Sequence, residues 1–142
     1  MKFQKQKFHH KPDEGIFGDC FRTCLAILLG VDADEVPHFL RSGTFDDAEY
    51  EQWLKSNELH LIRVTFPGET PQENVMFTAD QMGGGLPYLL SGYSRTPSNH
   101  VVVAQGNEIV CDPSLTDSGI VGPMRHENGS QDWWIEWLVR RA

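Results

Sequence analysis

A chain of 142 residues with a formal charge of -8 and a pI near 5.1 carries no basic footprint for nucleic acid, and it would be repelled by an anionic membrane surface. A peptide or protein substrate that is neutral or cationic suits it better. The length fits a single domain, 1–142, with one core and one site, and no apolar run approaches the roughly 20 residues that cross a bilayer.

The N-terminus, Met1-Lys-Phe-Gln-Lys-Gln, has charge without an apolar signal core, so a cytoplasmic protein is expected. Residues 21–29 place Phe21, Cys24, Leu25, Leu28 and Leu29 at the i, i+3, i+4, i+7, i+8 spacing of a helix buried along one face, with Asp19 positioned to cap it and Gly30 to end it. Residues 34–40 read as a short helical turn. Residues 46–57 form an amphipathic helix carrying Tyr50, Trp53 and Leu54, with Asp46, Asp47, Glu49 and Glu51 on its solvated face.

A first strand over 58–66 ends at Pro67-Gly68, and residues 70–81 fit neither period. The glycines 83–85 make a break between two halves of the fold, an exposed turn or a lid. Strands follow over 86–93, 100–105 and 108–112, the last two joined in a hairpin at Gly106-Asn107, and 133–139 supplies a closing strand. Trp133, Trp134 and Trp137 belong to the core, with one of them free to line a cleft. An early helix followed by an antiparallel sheet makes the class α+β.

Three cysteines, Cys20, Cys24 and Cys111, are an odd number without the dense spacing of a disulfide scaffold, which points to free thiols. Cys24 and Cys111 fit core faces. Cys20 lies outside the apolar stripe on the first helical turn, where unpaired N–H groups and the positive end of the helix dipole favour a thiolate and can cradle an oxyanion. Such a nucleophile needs an acid and base of suitable pKa. Among six histidines, His100 begins the run His100-Val-Val-Val-Ala104, and Asp112 lies on the hairpin partner.

Register constrains this pairing. With a two-residue turn and regular strands, His100 and Asp112 would face opposite sides of the sheet. A three-residue loop of Gly106, Asn107 and Glu108 shifts the register by one, opposes Asp112 to Val102 and brings it diagonal to His100, so that looser hairpin is expected.

The segment Gly18-Asp-Cys-Phe-Arg-Thr-Cys-Leu-Ala26, with His100-Val-Val-Val and Asp112-Pro113 downstream, resembles the papain-like cysteine peptidases of the type that processes bacteriocin (double-glycine) leaders. The resemblance spans roughly residues 14 to 113. It implies a papain-like fold, with a central N-terminal helix carrying the Cys and an antiparallel sheet carrying the His and Asp. It also implies hydrolysis of amide bonds by a Cys20, His100, Asp112 triad, with no cofactor. The transporter context of the leader peptidases is absent, so a stand-alone bacterial or phage domain is expected. Enzymes of that kind carry a Gln about six residues before the nucleophile as an oxyanion donor. Position 14 is Glu14, which would repel an oxyanion, so Gln6 is the candidate, provided residues 9–17 loop out.

Two other function classes fit the same residues. A papain-like binding protein without turnover would account for Glu14. A zinc module could draw on Cys20, Cys24, Cys111 and one of His9, His10 or His100, although Cys-x3-Cys within one helix matches zinc knuckles poorly.

Overall fold

The computed structural model describes residues 1–141, which form an α+β architecture of three helices and a six-stranded antiparallel sheet. Helix α1 (Cys20–Leu29) is the most deeply buried helix. Beyond the expected stripe, Thr23, Ala26 and Ile27 are also buried, so α1 is covered on most sides, and Gly30 ends it in the left-handed conformation at φ 73°.

Helix α2 (Asp47–Ser56) follows, with the Asp46 side chain accepting from the Glu49 N–H at 3.0 Å as its N-cap. Between α1 and α2 the expected helical turn is a single 3-10 turn, Ala33–Glu35, held by a capping box with Asp32. Strand β1 is Leu59–Pro67. The stretch that fitted neither period is helix α3 (Gln72–Gly83), and the glycine break is its C-terminus, with Gly84 left-handed at φ 60°. Gly83 lies against Trp137, where an added Cβ would come 2.5 Å from the indole nitrogen.

The remaining strands are β2 (Tyr88–Tyr93), β3 (Asn99–Gln105), β4 (Glu108–Cys111), β5 (Met124–Arg125) and β6 (Gln131–Arg140). The sheet runs β1-β6-β2-β3-β4, with the short β5 on β6. Alternation along β6 sends Trp133, Ile135 and Trp137 to the α3 face and leaves Trp134, Glu136 and Leu138 on the other. On that second face α1 packs over Leu89, Val101 and Val103, burying an apolar layer that fixes where the N-terminus of α1 meets the sheet.

The β3-β4 hairpin corrects the expected loop. Gln105 pairs with Glu108 around a two-residue turn with Gly106 at φ 60°, and the register shift comes instead from a bulge at Val110, since Ala104 pairs with Ile109 but Val103 with Cys111. The one-residue offset needed to bring His100 and Asp112 to one side is therefore present, one step further along the strand. No helix among the described residues is long and apolar enough to cross a membrane.

Candidate active site

Cys20 is the first residue of α1, half-buried, with a free thiol. The expected cap at this helix start is not made. Asp19 occupies the N-cap position, but its carboxylate is turned away from the first turn and buried, where it accepts from the N–H groups of Lys7 and Phe8, both at 2.9 Å, and from Arg22 Nε at 2.9 Å. Two long-range backbone donors and a cation outcompete a local cap. One consequence is that no carboxylate covers the N–H groups of the first turn beside Cys20. The other is that the N-terminal segment is latched against the start of α1.

That latch sets the place of Gln6. Its backbone N–H donates to Pro113 O at 2.8 Å, and its side chain is buried in a narrow polar cleft of about 100 Å³ that Cys20, His100 and Ser114 also line. Residues 9–17 do loop out, closed by the Lys11-Ile16 bridge, while Glu14 is exposed and does not line the cleft. Gly18 makes room for this arrangement, since a Cβ there would meet His10 Cβ at 3.0 Å and Gln6 Nε2 at 3.2 Å. Gln6 Nε2 donates to Phe8 O at 2.7 Å, and Gln6 Oε1 is buried without a partner.

His100, near the start of β3 and 8% exposed, makes a 2.7 Å hydrogen bond through Nε2 to Asp112 Oδ1, leaving Nδ1 as the nitrogen available to Cys20. Burial pulls the imidazole pKa down, but the hydrogen bond with Asp112 and the contact with Cys20 outweigh it and take the value up to about 9. Burial pushes the other way on Asp112, raising its carboxyl. The bonds from His100, from Ser114 N–H at 2.9 Å and from Gly119 N–H at 2.8 Å hold it below the usual carboxylate value. At neutral pH the pair is thus an imidazolium on a carboxylate, fixed by a strand on one side and a loop on the other.

Cys24, one turn along, is fully buried, and its thiol donates to Val101 O at 3.4 Å. Burial, followed by the neighbouring Cys20, pushes its pKa well above the ordinary thiol value. Cys111 is half-buried, with Gln4 O 3.9 Å from its sulfur. Among the described residues no group of three or more His, Cys, Asp or Glu side chains is arranged to hold a metal ion.

A second, larger groove of about 490 Å³ opens on the other flank of Cys20 and His100. Phe21, Phe45, Tyr50 and Trp134 supply most of its apolar lining, and Glu136 lies in it with Arg63. Glu136 is 1% exposed in the middle of β6 and directly opposite Arg63 on β1. Both Arg63 Nε at 3.0 Å and the terminal nitrogen at 2.9 Å reach Glu136 Oε2. Burial raises the Glu136 carboxyl pKa, and Arg63 opposes that shift. Sequence reasoning missed this pair. The available signal was a charged residue at the centre of an apolar strand, Trp-Trp-Ile-Glu-Trp-Leu, with an arginine in the first strand to match it. No family model, curated protein or solved structure matches the chain.

Proposed function

We propose that the chain is a cysteine-dependent hydrolase of amide bonds built on a papain-like plan, acting on a peptide or protein substrate. The observation that carries the reading is the His100–Asp112 hydrogen bond of 2.7 Å, which leaves the opposite imidazole nitrogen for Cys20 at an uncapped helix start. In this reading Cys20, as thiolate beside the His100 imidazolium, attacks the carbonyl carbon. A C–S bond forms and the carbonyl electron pair moves onto oxygen, where first-turn N–H groups and the Gln6 amide receive it. Collapse breaks the C–N bond, His100 gives its proton to the leaving nitrogen, and a thioester remains. Neutral His100 then takes a proton from water, which adds to the thioester. The C–S bond breaks, releasing the acid and regenerating the Cys20 thiolate beside the His100 imidazolium. Asp112 holds the imidazole orientation throughout.

The test is the rate of iodoacetamide alkylation at each cysteine against pH, followed by mass spectrometry, in the wild type and in His100→Ala, together with a search for acyl adducts on Cys20 after exposure to mixed peptides. Fast alkylation of Cys20 well below the ordinary thiol value of about 8.5, lost in His100→Ala, and an adduct absent from Cys20→Ser are expected. A Cys20 no faster than a free thiol, or indifferent to His100, overturns the reading.

One observation favours a second reading, a papain-like binding protein without turnover. The Gln6 amide already donates to Phe8 O, so only its other N–H is free for an oxyanion. That reading expects a Cys20 that alkylates no faster than a free thiol and forms no acyl adducts.

A further inference from the structure

Helix α1 covers only part of its sheet face. Beyond Cys20 the face continues as Ser91, Trp134 and Glu136, walled by Phe45 and Tyr50, and this uncovered part is the larger groove. Its body is aromatic: Phe21, Phe45 and Tyr50 meet edge to face with ring centres 5.4 to 5.9 Å apart, and the Arg63 guanidinium lies 3.7 Å above the Trp134 ring.

The polar atoms in this groove are incompletely used. Tyr50 Oη is buried and has no hydrogen-bond partner, and both Arg63 bonds fall on Oε2 of Glu136, leaving Oε1. An unpaired buried hydroxyl is a standing cost to the fold, which calls for an explanation. Of the three unpaired buried side-chain polar atoms among the described residues, two, Tyr50 Oη and Gln6 Oε1, belong to residues lining the two flanks of the Cys20–His100 pair.

We infer that this groove receives one side chain of the substrate, an aromatic ring carrying a hydrogen-bond donor at its tip, as tyrosine does. The ring lies among Phe21, Phe45 and Trp134, and the donor meets the free oxygen of Glu136 and the Tyr50 hydroxyl. Arg63 balances the Glu136 charge, so a neutral tip is favoured over a cation, while an acidic side chain meets Asp47 at the rim and has no proton to give the Glu136 oxygen. The inference rests on the hydrolase reading, because it takes a groove beside a reactive thiol to be a substrate subsite.

The test uses two matched series of chloromethyl ketones, N-acetyl-X and N-acetyl-X-Gly, with X as Tyr, Phe, Ala or Glu. The Cys20 thiolate displaces chloride, a C–S bond replacing C–Cl, and intact mass follows the adduct alongside iodoacetamide. In at least one series Tyr is expected to react about threefold to tenfold faster than Phe and about tenfold or more faster than Ala, with Glu slowest.

Tyr50→Phe removes an unpaired oxygen and so folds, and it lowers the Tyr-to-Phe ratio by about twofold to fivefold, the Glu136 oxygen alone still holding the tip. Asp47→Lys, on the exposed rim, narrows the penalty on Glu. If iodoacetamide labels Cys20 quickly but the reagents differ little in either series, or Phe outruns Tyr in both, the groove assignment falls and the hydrolase reading stands. If Cys20 is inert to iodoacetamide as well, both fall.

Discussion

Cys20 and Cys24 lie one turn apart on the same helix and have opposite fates. Cys20 opens α1 at a cleft wall and faces an imidazolium, whereas Cys24 points into the layer under β3, fully buried, with its thiol donating to Val101 O and its pKa pushed up by burial. The residue type is the same, so the difference lies in what the fold places around each sulfur: an uncapped helix start and a cation for one, a dry apolar layer for the other. Rotation by one helical turn would not separate them, because residues four apart share a face. What separates them is that the sheet face stays covered beneath Cys24 and opens beside Cys20.

The ratio of their alkylation rates is the measure of that contrast, and His100→Ala is the change expected to break it most. Loss of the imidazolium should slow Cys20 at pH 7 by about tenfold to thirtyfold, as the thiolate fraction falls towards that of an ordinary thiol, and leave Cys24 at its slow, unfolding-limited rate. Peptide mapping after timed alkylation reads both sites at once.

Asp19→Ala should have the next largest effect, by loosening the ground next to Cys20. It strands Arg22 and frees the Lys7 and Phe8 N–H groups, costing about 3 to 5 kcal/mol of stability in a denaturant titration. Faster hydrogen exchange at residues 2–8 than along α1 would assign the loss to the N-terminal latch. Equal acceleration throughout would instead make Asp19 a general support of the fold.

Asp112→Asn sharpens the contrast without emptying the site. The His100 pKa should fall from about 9 by roughly 1 to 3 units, read by imidazole NMR, and the alkylation advantage of Cys20 should shrink with it. The effect on stability has a defined window. A His whose folded pKa of about 9 exceeds the ordinary 6.5 stabilises fully below about 6.5 and loses that contribution as the pH rises through 9. Asp112, held below 3.8, contributes above that value and loses it as the pH falls through its lowered pKa. The wild-type advantage over Asp112→Asn is therefore greatest between about pH 4 and 6.5.

How much of this was legible in the sequence depended on how local each determinant is. The α1 stripe, the His100 strand and the closing strand announced themselves by period, and the parity argument correctly required an offset between His100 and Asp112. It misplaced that offset, because a three-residue loop and a two-residue turn with a bulge at Val110 shift the register equally. Helix α3 was unreadable because Phe77 and Met82 are exposed while Val75, Met76 and Ala79 are buried, which blurs the apolar stripe. Asp19 looked like a cap because Lys7 and Phe8, its actual partners, come from a segment whose path the sequence does not specify. For the same reason Gln6 could be named only on condition of a loop, and the Arg63–Glu136 pair, a cross-strand contact 73 residues apart, was not found.

Cys24→Ala is the smallest change and tests the other half of the contrast. Removing a fully buried sulfur and its weak bond to Val101 O leaves a small void against a layer that α1 and β3 hold in place, for a cost of about 1 kcal/mol and a modest drop in Tm. Cys20 should keep its alkylation rate and its dependence on His100, since Cys24 contributes packing and no charge at neutral pH. A Cys20 rate that fell along with the stability would mean that the core layer under Val101 sets the position of the neighbouring His100, so that the two sulfurs are coupled through β3.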